Sequence, residues 1–454
     1  MTWAQAISCL YLAGIATAGH ALFHVRSIPG TVAWIGFLIT LPLFALPMYW
    51  VFGGNRFNGY REREFAYHSK AAADQPFQRV LEKLSGYPIR RGYNTILYTN
   101  GAKAFAAMLR DMESAQHNII VQSFIVEEGA VSQAFTEVLS RKAQQGLAVF
   151  LLYDEIGSSK LSRSFRAKLC SAGVRVSSFN AGLSFRHRLK LNYRNHRKLV
   201  LVDSKIGYTG SLNLGDVYCD HPENHWRDTH LRIEGSVVSD LEDVFSLDWC
   251  WATGSPASWP HPLPAPTPEN EKGLPALCMA TSPADSQPTG LLYPLSILSD
   301  AKERIWIATP YFVPDPAIIS TLRLAVVRGV EVRILLPEKT NWKVLTLAAE
   351  SYLLELLKAG VRIDFYNDGF MHQKVVLIDD RFACIGSHNL DNRSLFLNFE
   401  CSLILWGKSI SQQVHDMLDS DASSGIPVRP EHLSQRSFLR KFLRRICRLF
   451  APLL

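Results

Sequence analysis

The chain has 454 residues, 47% of them apolar and 20% charged, which is enough for two ordinary domains with full cores. Lys and Arg outnumber Asp and Glu by 48 to 41, and the net charge of +7 suits an anionic partner: acidic lipid, nucleic acid or a phosphorylated substrate. The 8 cysteines show no Cys-x-x-Cys and the 14 histidines no His-Glu-x-x-His, so no metal centre or cofactor is expected and a reducing compartment fits.

Thr2 to Val25 and Ser27 to Gly54 contain no Asp, Glu, Lys or Arg, and each has about the 20 apolar residues that cross a bilayer. Arg26-Ser-Ile-Pro-Gly30 is a tight connection between them, so residues 1–56 read as a two-span transmembrane hairpin, with Trp3, Trp34, Tyr49 and Trp50 as interfacial anchors. A cleaved signal peptide would need a basic N-terminal region and would not explain the second span. One Arg lies in the connection, whereas Arg56, Arg61, Arg63 and Lys70 follow the second span, which puts everything after it in the cytoplasm. Residues 57–92 form a connector.

From Tyr93 the pattern is α/β. Residues 93–253 form a first lobe with a strand at Asn118–Val126, an amphipathic helix at Ala130–Gln145 and a strand at Ala148–Tyr153. It then runs through Ala172-Gly-Val-Arg to His196-Arg-Lys198, four apolar residues, Asp203, and Gly210-Ser211-Leu-Asn213. Leu199–Val202 is a short buried strand, and His196 and Lys198, two apart at its start, share a face. Arg186, Arg188, Lys190, Arg194 and Arg197 make this approach basic. Residues 254–290, rich in Pro and Ser, read as a linker.

Residues 291–420 repeat these steps. A strand at Arg304–Pro310, a helix at Pro316–Arg328 and a strand at Val332–Pro337 lead through Ala359-Gly-Val-Arg to the second motif. That motif reads His372-Gln-Lys374, four apolar residues, Asp379, and Gly386-Ser387-His-Asn389. Six fixed positions recurring twice are not accidental, since one match has a chance of about one in ten million per starting point. The repeat places the two motifs at equivalent positions of two similar lobes, with one joint site between them. Residues 421–454 end in a basic amphipathic helix, in which Phe438, Phe442, Ile446 and Leu449 follow helical spacing among Arg436, Arg440, Lys441, Arg444, Arg445 and Arg448. Six cations and no acid favour an anionic membrane surface over a merely solvated face.

This kit suits phosphodiester transfer. One imidazole attacks phosphorus while a second protonates the leaving oxygen, and Lys and Asn stabilise the growing charge on the non-bridging oxygens. Small residues at Gly210-Ser211 and Gly386-Ser387 would let a phosphate approach the backbone.

The doubled His-x-Lys-x4-Asp pattern resembles the phospholipase D superfamily. Gly386 to Ser394, Asn398-Phe-Glu400, Thr309-Pro-Tyr-Phe-Val-Pro-Asp315 and Trp226-Arg-Asp228 resemble the bacterial cardiolipin synthases, over nearly the whole chain. The resemblance implies two phospholipase D-like lobes forming one active site behind a membrane hairpin in the bacterial inner membrane. It implies a phosphohistidine on one motif histidine with the other as general acid, here assigned as His196 and His372 in that order, and Lys198, Lys374, Asn213 and Asn389 on the phosphate, with Ser211 and Ser387 nearby. It also implies Asp228 and Glu400 as the carboxylates that orient the histidines, leaving Asp203 and Asp379 as motif members of doubtful direct chemistry. The expected substrates are phosphatidylglycerol and other anionic phospholipids, with no nucleic acid. Two alternatives stay open: a hydrolase using water, and a synthase with phosphatidylethanolamine as donor.

Overall fold

A computed structural model describes residues 2–25, 28–53, 60, 73, 75–180, 192–219, 226–257, 273–338, 340, 342–449 and 451. The flanking charges Arg26, Arg56, Arg61, Arg63 and Lys70, the basic residues Arg186, Arg188 and Lys190, and the closing Pro452–Leu454 lie outside the described residues.

Trp3–His24 is one helix, α1, capped by the Thr2 side chain. Its 22 residues cover about 33 Å at 1.5 Å per residue, enough for a bilayer core. The second apolar stretch is not one continuous helix as expected, but α2 (Ile28–Thr40) and α3 (Pro42–Phe52). Pro42 has no N–H to return to the Leu38 carbonyl, and Leu41 leaves helical geometry with φ −134° and ψ 57°. That carbonyl meets α1 instead, where a Cβ on Gly14 would sit 2.5 Å from it. Ala18, Ala21, Leu38, Ala45 and Tyr49 form the seam of the three helices, and the outward faces, among them Leu12, Phe23, Leu43 and Phe44, are apolar and exposed.

The lobes share one sheet. In the first, β1 (Arg90–Tyr98), β2 (Asn118–Ser123), β3 (Ala148–Tyr153), β4 (Arg175–Ser178), β5 (Leu199–Val202), β6 (Ile206–Gly210) and β7 (His230–Glu234) lie in the order β1-β7-β6-β5-β2-β3-β4. In the second, β8 (Leu274–Thr281), β9 (Arg304–Ala308), β10 (Glu331–Pro337), β11 (Arg362–Tyr366), β12 (Val375–Ile378), β13 (Phe382–Gly386) and β14 (Asn398–Trp406) follow the matching order β8-β14-β13-β12-β9-β10-β11. The halves join where β1 pairs antiparallel with β8, Arg91 opposite Pro275. Strands β2 and β3 are buried along their whole length, as parallel strands covered on both faces must be.

Helices cover the sheet: α4 (Pro76–Ser85), α5 (Gly101–Ser114), α6 (Ala130–Gln144), α7 (Arg163–Ser171), α8 (Val237–Thr253), α9 (Thr289–Asp300), α10 (Pro316–Val327), α11 (Lys343–Lys358) and α12 (Lys408–Ser423). Asn100 caps α5 through the Lys103 amide, and Asp315 caps α10 just before Pro316. The segment expected to be a linker departs from its composition, because β8 lies inside it and buries Ala276, Leu277, Cys278 and Met279 at the centre of the sheet. In the tail, α13 (Phe438–Leu449) packs along α11 through Cys447, while Phe438, Leu439, Phe442 and Leu449 stay exposed.

Candidate active site

Two short parallel ladders cross between the lobes and build the site. Arg194–Asn195 pairs with Asn398–Phe399, so His196, the next residue, comes level with Glu400. Phe370–Met371 pairs with Trp226–Arg227, so His372 comes level with Asp228. The backbone continues the match, His196 N–H donating to Phe399 O at 2.9 Å and His372 N–H to Arg227 O at 2.8 Å. Each histidine therefore takes its carboxylate from the other lobe: His196 Nδ1 lies 2.8 Å from Glu400 Oε2, and His372 Nδ1 lies 2.8 Å from Asp228 Oδ2.

All four groups are buried. Burial lowers His196 to about 4, Lys198 and Lys374 adding to the effect against the pull of Glu400. Burial lowers His372 to about 3, with Lys374 next and Asp228 opposing. Burial alone would raise both carboxyls, but the imidazoles and lysines beside them outweigh it and hold each at about 2. Ionised Glu400 and Asp228 can only accept, so each imidazole carries its proton on Nδ1 and turns a lone pair on Nε2 into the site.

The lysines distinguish the two halves. Lys374 Nζ donates to His372 Nε2 at 2.9 Å and to His372 O at 2.6 Å. Lys198 Nζ donates to His196 O at 2.6 Å and sits 5.3 Å from the Phe124 ring centre, leaving His196 Nε2 uncovered by it. Each lysine's charge is felt at both histidines, as expected of one joint site. Asn213 is held by the Ile125 amide and the Tyr218 hydroxyl, whereas Asn389 Oδ1 is buried without a partner among the described residues.

Two expectations are corrected. Ser211 and Ser387 do not face a phosphate: their hydroxyls donate to Asp228 and Glu400, and so help to fix those carboxylates. The glycines before them admit a neighbouring strand rather than a ligand, since a Cβ on Gly386 would lie 2.4 Å from Cys401 O and one on Gly210 2.7 Å from Thr229 O. Asp203 and Asp379 sit beyond the far ends of β5 and β12, in turns with φ of 53° and 51°. There they accept backbone amides, from Gln116 to Asn118 and from Lys302 to Arg304, in keeping with the doubt about their direct chemistry.

Sequence reasoning missed the layer beneath. Arg197, read as part of a basic approach, is buried and donates to Asp248 at 2.7 Å and to Glu400 O at 3.1 Å. Its counterpart Gln373 donates to Asp421, which also pairs with Arg227. The middle residue of each motif is thus tied to an Asp on the next long helix, a correspondence that aligning the two halves would have exposed. Tyr218 and Trp226 pack their rings 5.9 and 5.3 Å from His372.

Residues 108–249 and 295–422 match the family model described as "Cardiolipin synthase, PLD-like domain". Cardiolipin synthase A of Pseudomonas putida (strain GB-1) is 37% identical, over 99% of this chain and 98% of that protein. Cardiolipin synthase A of Pseudomonas aeruginosa (strain LESB58) is 36% identical, over 97% of this chain and 94% of that protein. Among solved structures, phosphatidylserine synthase of Haemophilus influenzae Rd KW20 shares the fold with a TM-score of 0.63 at 14% identity, over 84% of this chain and 100% of that one. With two motif-bearing lobes around one buried site and likeness along almost its entire length, this chain belongs to the cardiolipin synthase family, and like its bacterial relatives it is a membrane-associated phospholipid enzyme.

Proposed function

We propose that the chain is a phosphatidyltransferase that joins two phosphatidylglycerol molecules into cardiolipin and releases glycerol. The observation that carries this reading is the pair of buried histidines, each with its carboxylate across the lobe boundary. His196 Nε2, the less encumbered of the two, attacks phosphorus. An N–P bond forms, the P–O bond to glycerol breaks, and the departing oxygen takes a proton from His372. For this His372 must first be protonated at Nε2. An arriving phosphate provides for that by drawing the Lys374 ammonium off the ring and by favouring the imidazolium with its own charge. In the second half His372 takes the proton of the second lipid's terminal hydroxyl, whose oxygen displaces His196 from phosphorus. Lys198, Lys374 and Asn389 stabilise the charge on the non-bridging oxygens.

The apolar helices supply the anchor, and we read them as two passes, α1 and the broken α2–α3 unit, with both lobes in the cytoplasm. Both substrates are then bilayer lipids presented beside the site. Mass spectrometry of lipids made from phosphatidylglycerol alone, and from its mixture with phosphatidylethanolamine, tests the reading. Cardiolipin and free glycerol from phosphatidylglycerol alone are expected. Phosphatidic acid as the main product would indicate a hydrolase, and cardiolipin only from the mixture would indicate the other donor. His196→Ala should cut synthesis by roughly 10⁴-fold or more, as removing a covalent nucleophile does.

A further inference from the structure

Outside the catalytic cleft, a cavity of about 400 Å³ lies in the second lobe, beneath α11 and α13. It falls within the roughly 300–1,000 Å³ of ligand clefts. Leu345, Leu353, Phe365 and Leu433 supply apolar lining, Glu338 and Glu350 supply carboxylates, and Arg436, just before α13, and Arg440, in its first turn, stand in the wall. Arg440 is held by Glu350, but Arg436 forms no ion pair among the described residues.

The cavity lies close to the chemistry. Phe312 lines it, and the Phe312–Val313 pair runs parallel to Leu390–Asp391, the residues that directly follow Asn389. Tyr311, also in its wall, feels the charge of Asp391. The surroundings are of the kind that meets lipid. Beyond the N-terminal helices, most exposed large apolar side chains fall on this part of the second lobe: Leu324 and Val327 on α10, Trp342 and Val344 at the start of α11, and Phe438 and Phe442 on α13. Lys441 and Arg445 are exposed on the same helix, so an apolar edge and cations share one surface.

We propose that this cavity takes one acyl chain of an anionic phospholipid whose phosphate rests on Arg436 and Arg440, with the exposed edge of α13 lying against the bilayer that supplies it. A largely apolar chamber with Arg436 in its wall matches an apolar chain that ends in a phosphate; a soluble anion would leave the apolar lining unused, and a neutral lipid would leave the Arg436 guanidinium unanswered. The assignment rests on the reading of the chain as a phospholipid enzyme and extends it to how a lipid is held.

The test uses the full chain in phosphatidylcholine vesicles doped with phosphatidylglycerol that carries a photoactivatable group at the end of one acyl chain. Labelled peptides should come from residues 340–353 and 426–440, in preference to the same probe built on phosphatidylcholine. Ala349→Trp, which fills the cavity, should lower that labelling about tenfold, equivalent to losing about 1.4 kcal/mol of binding. Arg436→Glu, at an exposed position that leaves the core untouched, should abolish the preference for the anionic lipid. Labels confined to α1–α3 or the first lobe, or a preference unchanged in Arg436→Glu, overturn the proposal. Cardiolipin formation in the same vesicles is measured separately. A wild-type chain that labels the cavity but makes no cardiolipin keeps the site and refutes the reaction; one that makes cardiolipin with labels elsewhere does the reverse.

Discussion

Lys374 sits on the Nε2 of one imidazole and within the field of two carboxylates, and its own charge is precarious. Burial lowers it to about 8, and Asp228, Glu400 and Asp391 keep it from falling further. On the proposed mechanism, below that pH it is an ammonium that grips phosphate, and above it the grip is lost. The kcat/KM profile, which reports the free enzyme, should therefore fall as pH rises through about 8. In Lys374→Arg the guanidinium stays charged, so the alkaline fall should flatten while the maximum drops through poorer fit; an unchanged limb would assign the titration to another group, such as Lys198. At this scale the sequence was a good guide to which residues matter and a poorer one to what each does. His and Lys could be named because the doubled motif and its chemistry are specific, and the two carboxylates because the family resemblance implied them. Ser211, Ser387 and the glycines could not be placed correctly, because a hydroxyl bonds a carboxylate as readily as a phosphate, and only the neighbouring strand tells which.

Among the elements, the strands of both lobes were legible from runs such as Leu199–Val202 and Val375–Ile378, whose ends the structure reproduces. The exceptions are β1, β7, β14 and β8, and α4 and the start of β1 fall in the stretch expected to be a connector. Strand β8 is hidden because Pro and Ser crowd both sides of a short apolar run and the sheet, not the local pattern, recruits it. The N-terminal segment shows the opposite case: composition reads it as two spans, yet Pro42 divides the second. Pro is tolerated in apolar segments when neighbours satisfy the freed carbonyl, and the Gly14 approach to Leu38 shows how closely α1 can come. The two-pass reading makes a definite demand. A reporter fused after Lys70 should behave as cytoplasmic, and periplasmic alkaline phosphatase activity at that junction would overturn the topology.

For the molecule as a whole, the matching strand orders of the two halves meet at β1 and β8, and the catalytic pairs form only across that boundary. A chain divided between residues 258 and 272 should be inert as either fragment. Co-expressed fragments should recover cardiolipin synthesis, because β8 can still add to β1 and the two crossing ladders can still form. Activity from one fragment alone would mean that a single lobe holds a complete site. The same crossing also sets a timetable. His196 leaves the ribosome 204 residues ahead of Glu400, and N-terminal segments fold first during synthesis. On the proposed mechanism, the nascent enzyme thus meets the bilayer with His196 still lacking Glu400, and it acquires reactivity toward the surrounding lipid only when the last part of the second lobe has emerged and docked.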